Sequence, residues 1–177
     1  MDIKMLVMDV DGTLTDGKIY MSDHGELMKA FNIKDGYAIA RLRDYGIEPI
    51  IITGRSSEIV NKRCAELKIS ELYQGIENKT YKLREVCQRL NISLSQVAYI
   101  GDDLNDLPCM NICGMTACPA DAIKEVKDTV GYVCSVDGGN GAVREFVDYL
   151  LSNQKNHEVN EFDLNGVKYE IDSYIND

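Results

Sequence analysis

Short apolar segments alternate with amphipathic ones along the first 150 residues of the chain. The apolar segments are clearest at Met5–Met8, 49–52 and Val97–Ile100, where no polar residue interrupts the run. Such runs are typical of strands that are buried on both faces of a parallel sheet. The segments between them place apolar residues at helical spacing. The alternation predicts an α/β fold with a doubly wound, mostly parallel sheet.

Turn and cap residues give approximate bounds for the remaining elements. Two β-prone segments around Asp23-His24-Gly25 predict a β-hairpin over about 17–31. Asp35 is the expected N-cap of the first helix, which Gly46 ends. The predicted helices cover about 36–45, a segment from Ser56, 78–90, 105–112, 121–127 and 140–151; further strands are predicted near 72–75, 114–118 and 130–134.

The chain divides into a domain of residues 1–151 and a C-terminal extension of residues 152–177. The extension has six acidic and two basic residues. Its Asn165-Gly166 pair accepts the backbone angles of a type I′ turn and predicts a second hairpin over 161–171. A lone hairpin is only marginally stable in water, so a mobile tail is an equal alternative.

Composition excludes several classes of function. The formal charge of −10 and the pI of about 4.7 argue against nucleic acid as a partner. No apolar run is long enough for a membrane span, and we expect a cytoplasmic protein. The six cysteines form no Cys-x-x-Cys pair and are expected to be reduced thiols. His24 and His157 are expected on the surface.

Polar residues follow three of the predicted strands. Asp9 and Asp11 come directly after the first strand, Thr53 after the second, and Asp102 after the fourth. The carboxyl ends of parallel strands meet at one edge of a sheet, where ligands bind. Two carboxylates one residue apart repel each other unless a cation or a proton lies between them, and oxygen ligands suit Mg²⁺. This edge therefore has the groups needed to handle a phosphoryl group.

The order of these motifs is similar to that of the haloacid dehalogenase superfamily of phosphatases, over residues 1 to about 150. The resemblance implies that Asp9 attacks phosphorus and forms an aspartyl phosphate. It implies that Asp11 first protonates the departing oxygen and then deprotonates a water. Mg²⁺ would bind the Asp9 carboxylate, the Asp11 main-chain carbonyl and Asp102. The motifs are Asp9-Val10-Asp11-Gly12-Thr13, Thr53-Gly54, Lys79 and Gly101-Asp102-Asp103.

The same resemblance implies roles for the surrounding residues. Thr53 and the Gly54 amide would hold phosphate oxygens, and Lys79 would neutralise charge in the transition state. Asp103 would lie one layer further out and orient Lys79 or a metal-bound water. Asp106 would cap or brace the helix that follows.

The gaps between the motifs leave no room for a cap domain. Asp11 and Thr53 are separated by 41 residues, and Thr53 and Lys79 by 25. An uncapped site must be closed by a macromolecular substrate or by a second copy of the chain. The resemblance implies a homo-oligomer, with a tetramer expected, in which the hairpin of one subunit contributes to the active site of its neighbour.

Several further stretches carry a narrower resemblance, among them Asp16-Gly17-Lys18-Ile19-Tyr20, Lys29-Ala30-Phe31-Asn32, Arg63-Cys64-Ala65 and Gly138-Gly139-Asn140-Gly141. They are similar to the phosphatases of 3-deoxy-D-manno-octulosonate 8-phosphate, enzymes of lipopolysaccharide precursor synthesis. This resemblance implies a small sugar-acid phosphate as substrate, with a carboxylate that cationic side chains would bind. Arg55 is the main candidate, and Arg63 is a second one that could act from a neighbouring subunit.

Three alternatives remain open. Phosphatases of nine-carbon 2-keto sugar acids, and domains fused to acylneuraminate cytidylyltransferases, are closely similar. The nine-carbon relatives resemble a pattern with Glu at the position of Arg55, so Arg55 favours the eight-carbon acid. A phospho-accepting signalling module would use an Asp from a later strand, which does not fit the order found here. A capless phosphoprotein phosphatase is the remaining enzyme alternative.

Overall fold

The computed structural model describes residues 2–154 and forms one six-stranded parallel sheet with helices on both faces, as predicted. The strands are β1 Met5–Met8, β2 Tyr20–Ser22, β3 Gly25–Met28, β4 Glu48–Ile52, β5 Glu71–Tyr73, β6 Val97–Ile100, β7 Met115–Cys118 and β8 Tyr132–Val133. The helices are α1 Ile33–Arg41, α2 Glu58–Glu66, α3 Lys79–Leu90, α4 Leu107–Met110, α5 Lys124–Lys127 and α6 Ala142–Ser152, with short 3₁₀ helices at Leu42–Tyr45 and Leu94–Gln96.

The strand order of the main sheet is β5-β4-β1-β6-β7-β8. The chain runs outward from β1 through β4 to β5, then returns to pair β6 with the other side of β1. β1 is therefore central, and Val7 pairs with both Ile50 and Tyr99. In doubly wound sheets the ligand crevice lies where the direction of the strand order reverses, beyond the carboxyl ends of the strands.

The side-chain alternation of β1 separates two cores. Leu6 and Met8 lie on the face that α1, α2 and α6 cover, whereas Met5 and Val7 lie on the face that α3, α4 and α5 cover. All four side chains are completely buried. A strand buried on both faces must consist of apolar residues throughout, which explains why its sequence shows no alternation.

The first helix differs from its prediction at its start. Asn32, not Asp35, caps α1, since the Asn32 side chain accepts a hydrogen bond from the Lys34 amide at 2.8 Å. Asp35 lies within α1, and its Oδ1 accepts from the Arg144 amide at 2.7 Å, at the start of α6. Asp35 therefore caps a helix that is distant in sequence. At α3, the predicted cap is confirmed, since Asn78 accepts from the Tyr81 amide.

The residues between the motifs form no separate cap domain in the described chain. Between Asp11 and Thr53 lie the β2–β3 hairpin, α1 and a 3₁₀ turn; between Thr53 and Lys79 lie α2 and β5. The hairpin forms its own two-stranded sheet, as predicted. The second hairpin predicted at 161–171, and His157, lie outside the described residues and stay predictions.

Three further expectations concern the surface and the thiols. The His24 side chain is exposed, as predicted. All six cysteines are free, and five of them are buried. No helix in residues 2–154 is both long and apolar enough to cross a membrane.

Candidate active site

The predicted motifs come together at the carboxyl edge of the central strands. Asp9 directly follows β1, and its amide donates to the Ile100 carbonyl at 3.1 Å. Thr53 follows β4, and its amide donates to the Tyr73 carbonyl at 2.9 Å. Asp102 comes two residues after β6. Parallel strands that end level with one another thus deliver three polar side chains to one crevice.

Lys79, the first residue of α3, extends its side chain to Asp9 in this crevice. Its Nζ lies 2.8 Å from Asp9 Oδ1 and 2.8 Å from Asp106 Oδ1. The three side chains are almost inaccessible to solvent, with 1% of Lys79, 7% of Asp9 and none of Asp106 exposed. Burial alone would lower the pKa of Lys79, but the two neighbouring carboxylates outweigh it and raise that pKa above its usual value.

Asp106 has a larger role than the sequence suggested. Its Oδ1 accepts hydrogen bonds from Lys79 Nζ and from the Tyr99 hydroxyl, both at 2.8 Å. Its Oδ2 accepts from the amides of Asp102 at 3.1 Å and Asp103 at 3.4 Å. The four bonds use the acceptor capacity of the carboxylate and fix the loop after β6.

Asp103 was predicted to orient Lys79 or a metal-bound water; the carboxylates at Lys79 are those of Asp9 and Asp106, and the role towards a metal-bound water stays a prediction. Asp103 is exposed, and its Oδ1 accepts from the amide of the next residue, Leu104, at 2.7 Å. Asp106 takes that position because it lies three residues further on, at the start of α4, and its side chain turns back beneath the loop. The only sequence signal was the third Asp after the strand, and spacing alone could not show that it is the buried one.

Asp102 is held against the first loop of the site. The Thr13 hydroxyl donates to Asp102 Oδ1 at 3.0 Å. Gly12 has a φ of +92°, and a Cβ atom at this position would lie 2.1 Å from Asp102 Oδ2. The close approach therefore requires glycine at position 12, both for space and for backbone conformation.

Two carboxylates of the site have strongly raised pKa values. Burial, together with repulsion from Asp106, raises the pKa of Asp9 to about 6, although Lys79 opposes the change. Burial, together with repulsion from Asp9 and Asp106, raises the pKa of Asp102 to about 7. Excess negative charge in a buried site is what a cation would neutralise.

The donor atoms fit a hard divalent cation. Single carboxylate oxygens of Asp9, Asp102 and Asp106 lie within 4.8 Å of one another. Asp106 is saturated by its four hydrogen bonds, so Asp9 and Asp102 are the available ligands. Asp9 Oδ1 is buried and has no hydrogen-bond partner among the described residues, because its contact with Lys79 has ion-pair distance without hydrogen-bond angles. A buried carboxylate oxygen that faces a cation but accepts no regular hydrogen bond is a suitable metal ligand.

The Asp11 side chain points away from this cluster, towards the hairpin. It forms an ion pair with Lys29 Nζ, and its Oδ2 lies 3.5 Å from Arg55 Nε. Glu26 Oε1 lies 3.0 Å from Lys29 Nζ and 3.9 Å from Arg55 Nη2. The sequence singled out Asp11 and Arg55 but not Glu26 or Lys29, since nothing in the local pattern shows that the end of the hairpin reaches the first loop.

The three other predicted binding residues, Thr53, Gly54 and Arg63, differ from one another in burial and position. Thr53 is buried and Gly54 is exposed, and a Cβ atom at Gly54 would lie 3.9 Å from Asn105 Nδ2 and from the Ile76 carbonyl oxygen. Arg63 lies on α2, where it pairs with Glu66 at 2.8 Å and lies over the Phe31 ring at 5.7 Å. Neither contact connects Arg63 with the Asp9 cluster. That Arg63 binds substrate in the active site of a neighbouring subunit therefore stays a prediction.

Comparison with known proteins identifies the family. A model of the haloacid dehalogenase-like hydrolases matches residues 68–146. The 3-deoxy-D-manno-octulosonate 8-phosphate phosphatase of Escherichia coli K12 is 46% identical over 150 residues, which are 85% of this chain and 80% of the relative.

Solved structures agree in fold as well as in sequence. The Moraxella catarrhalis 3-deoxy-D-manno-octulosonate 8-phosphate phosphatase, in complex with magnesium, phosphate and the KDO molecule, superposes with a TM-score of 0.83 and 40% identity, covering 86% of this chain and 88% of that one. The cobalt-bound Haemophilus influenzae phosphatase gives a TM-score of 0.83 and 38% identity, over 85% and 88% of the chains. The chain therefore belongs to the haloacid dehalogenase superfamily, in its family of 3-deoxy-D-manno-octulosonate 8-phosphate phosphatases.

Proposed function

We propose that this protein is a Mg²⁺-dependent phosphatase that releases phosphate from 3-deoxy-D-manno-octulosonate 8-phosphate, in lipopolysaccharide precursor synthesis. The observation that carries the proposal is the buried cluster of Asp9, Lys79, Asp102 and Asp106 at the carboxyl edge of the sheet. The Moraxella catarrhalis relative binds magnesium, phosphate and the sugar acid together, which supports the same ligand set here.

The chain has groups for each step of the reaction. Asp9 attacks phosphorus and becomes an aspartyl phosphate, while Asp11 transfers its proton to the sugar oxygen as the P–O bond breaks. Asp11 then removes a proton from water, and the water oxygen attacks the phosphorus of the intermediate and releases Asp9. Lys79, buried 2.8 Å from Asp9, balances the charge on the phosphoryl oxygens in both steps.

Asp9 and Asp102 would hold the Mg²⁺ ion together with the main-chain carbonyl of Asp11. The bound ion screens the negative nucleophile from the negative phosphate. In this proposal only the main-chain carbonyl of Asp11 binds the ion, because the Asp11 side chain contacts Lys29 and Arg55. The hydroxyl of Thr53 and the amide of Gly54 would bind phosphate oxygens.

Arg55 is the proposed determinant of substrate length. It directly follows Gly54, and 47% of its side chain is exposed, so it can turn from the first loop to the carboxylate of a bound sugar acid. We expect kcat/KM to favour the eight-carbon acid phosphate over the nine-carbon one. Arg55→Lys should raise KM with little change in kcat, because the ammonium loses the bidentate contact.

Phosphate release over a panel of substrates tests the proposal directly. The panel contains the eight-carbon and nine-carbon 2-keto sugar acid phosphates, a sugar phosphate without a carboxylate, and a phosphoserine peptide. Preference for the eight-carbon acid supports the proposal, and preference for the nine-carbon acid moves the chain to the alternative branch. Hydrolysis of the peptide alone would identify a phosphoprotein phosphatase.

The proposal includes a homotetramer whose active sites are shared between subunits. Supporting it, the hairpin exposes apolar side chains beside the crevice, with 61% of Met21 and 63% of Leu27 accessible in the single chain. Light scattering should give the mass of four chains, and Met21→Asp with Leu27→Asp should lower both mass and activity. A fully active monomer would contradict shared sites.

A further inference from the structure

The Asp11 carboxylate and three neighbouring charged side chains form a group of alternating sign. Glu26 contacts Lys29, Lys29 contacts Asp11, and Asp11 and Glu26 both lie near Arg55. The Ser57 hydroxyl, at the start of α2, donates to the second oxygen of Glu26. The group links three separate segments, namely the loop after β1, the end of the hairpin and the start of α2.

The two cations of this group are not equivalent. Only 1% of the Lys29 side chain is exposed, and its contacts with Asp11 and Glu26 are within hydrogen-bond distance. Arg55 is 47% exposed, and its distances of 3.5 Å and 3.9 Å are those of looser ion pairs. Exposed and loose pairs contribute little energy and exchange easily, whereas a buried, paired lysine is fixed in place.

Two carboxylates hold the Lys29 side chain in place. Lys29 directly follows β3, and Glu26 lies three residues earlier within that strand. Lys29 Nζ contacts one oxygen of Asp11 and lies 3.0 Å from Glu26 Oε1. The hairpin end therefore presents a cation to one oxygen of Asp11.

We propose that Lys29, held by Glu26, is a positioning residue that orients the Asp11 carboxyl group so that its other oxygen can exchange a proton with the leaving oxygen of the substrate. This rests on the proposed role of Asp11 as acid and base. Lys29 keeps its own protons throughout; the proton moves from Asp11 to the sugar oxygen as the P–O bond breaks. Arg55 remains free to turn towards the substrate.

The test compares substrates whose leaving groups differ in their need for a proton. A sugar alkoxide needs the acid, whereas a 4-nitrophenolate leaves without one, so a displaced Asp11 slows only the first. kcat/KM reports the step in which the leaving group departs from phosphorus. For Lys29→Met we expect a loss of about 100-fold with the sugar-acid phosphate and less than about 3-fold with 4-nitrophenyl phosphate.

Two variants separate positioning from a general structural effect. Lys29→Arg keeps a cation and should recover most of the lost rate. Lys124→Met is the matched control, because Lys124 forms an exposed ion pair with Asp128 on α5 and should leave both substrates unaffected. Glu26→Gln should act through Lys29, so its effect should largely disappear in the Lys29→Met background.

Several outcomes would overturn the inference. Equal losses on both substrates, a change in KM alone, or additive effects of the Glu26 and Lys29 variants would each do so. If Lys29→Met does not fold, the comparison of the two substrates with Glu26→Gln decides instead. If another alkyl phosphate is hydrolysed but the sugar-acid phosphate is not, the proposed substrate is wrong. The Lys29 variants are then compared on that alkyl phosphate and 4-nitrophenyl phosphate.

Discussion

The Lys79 ammonium lies 2.8 Å from Asp106 and, on its other side, 2.8 Å from Asp9. The Asp106 carboxylate is occupied by four hydrogen bonds and has a structural role, whereas the Asp9 carboxylate remains available for the proposed reaction. Asp106 also fixes the amides of the loop that presents Asp102. A single buried aspartate therefore sets the positions of the Lys79 ammonium and of Asp102, the proposed metal ligand, which come from different elements.

Removing Asp106 should destabilise the fold as well as the site. Asp106→Ala leaves the Lys79 ammonium, the Tyr99 hydroxyl and the two loop amides without their acceptor. Losing one partner of a buried ion pair costs about 3–5 kcal/mol. Urea unfolding should show this decrease in the free energy of unfolding, and Asp106→Asn, which keeps an acceptor oxygen, should lose less. Asp148→Asn, at an exposed pair on α6, is the control and should change little.

Asp9→Asn should reduce phosphate release below detection while the protein stays folded. The amide has the shape of the carboxylate but is not a nucleophile, and it cannot replace the charge that binds a cation. Phosphate release and far-UV circular dichroism measured together check this prediction. Turnover comparable with that of the unchanged protein would show that another group attacks phosphorus.

Stabilisation by Mg²⁺ should increase with pH. In the metal-free fold the pKa of Asp102 is about 7, well above its ordinary value of 3.8. A raised carboxyl pKa stabilises the fold below the unfolded value, and this stabilisation is lost as pH rises through the folded value. Mg²⁺ must displace the bound proton, so the rise in Tm on adding Mg²⁺ should be small near about pH 5.5 and large near about pH 8.

Asp102→Asn is the matched variant for that experiment. It removes the titrating group, so both the pH dependence of the metal-free Tm and the Mg²⁺ response should decrease. A Mg²⁺ response in the unchanged protein that is independent of pH over this range would contradict the assignment of Asp102 as a ligand that competes with protons.

Gly12→Ala should impair the site through sterics alone. The new Cβ atom would lie 2.1 Å from Asp102 Oδ2 at a φ of +92°, so both the backbone and the carboxylate must move. We expect weaker Mg²⁺ binding by calorimetry and a loss of phosphate release. Gly131→Ala is the control, because its Cβ would meet nothing closer than 3.7 Å. Equal behaviour of the two variants would contradict the close approach of Gly12 and Asp102.

Local sequence patterns predicted the parts of this fold that depend on local rules. The apolar run of β1 and the Asn78 cap are decided by neighbouring residues, and both predictions are confirmed. Asp35 shows the limit of such rules. Its residue type and position suited a cap for the first helix, yet the fold uses its carboxylate 109 residues away, at Arg144.

The contacts of Lys29 and Asp106 could not be predicted for the same reason. Whether an aspartate is exposed, as Asp103 is, or completely buried, as Asp106 is, depends on how the loop after β6 closes over Lys79 and Tyr99. A charged residue near a turn is most often solvated, and nothing in the local sequence distinguishes Lys29 from such a residue. Three-dimensional contacts over long sequence separations decide these roles.

The central position of β1 has a consequence for the order in which the enzyme matures during synthesis. β1 is synthesised before both of its neighbours in the sheet, which are β4, at Glu48–Ile52, and β6, at Val97–Ile100. Gly138 also lies against the Gly12 carbonyl. Asp9, the proposed nucleophile, is thus synthesised well before the residues that surround it, and its surroundings are complete only after the ribosome has added most of the described domain. We therefore expect no phosphate release from a nascent chain that ends before that point.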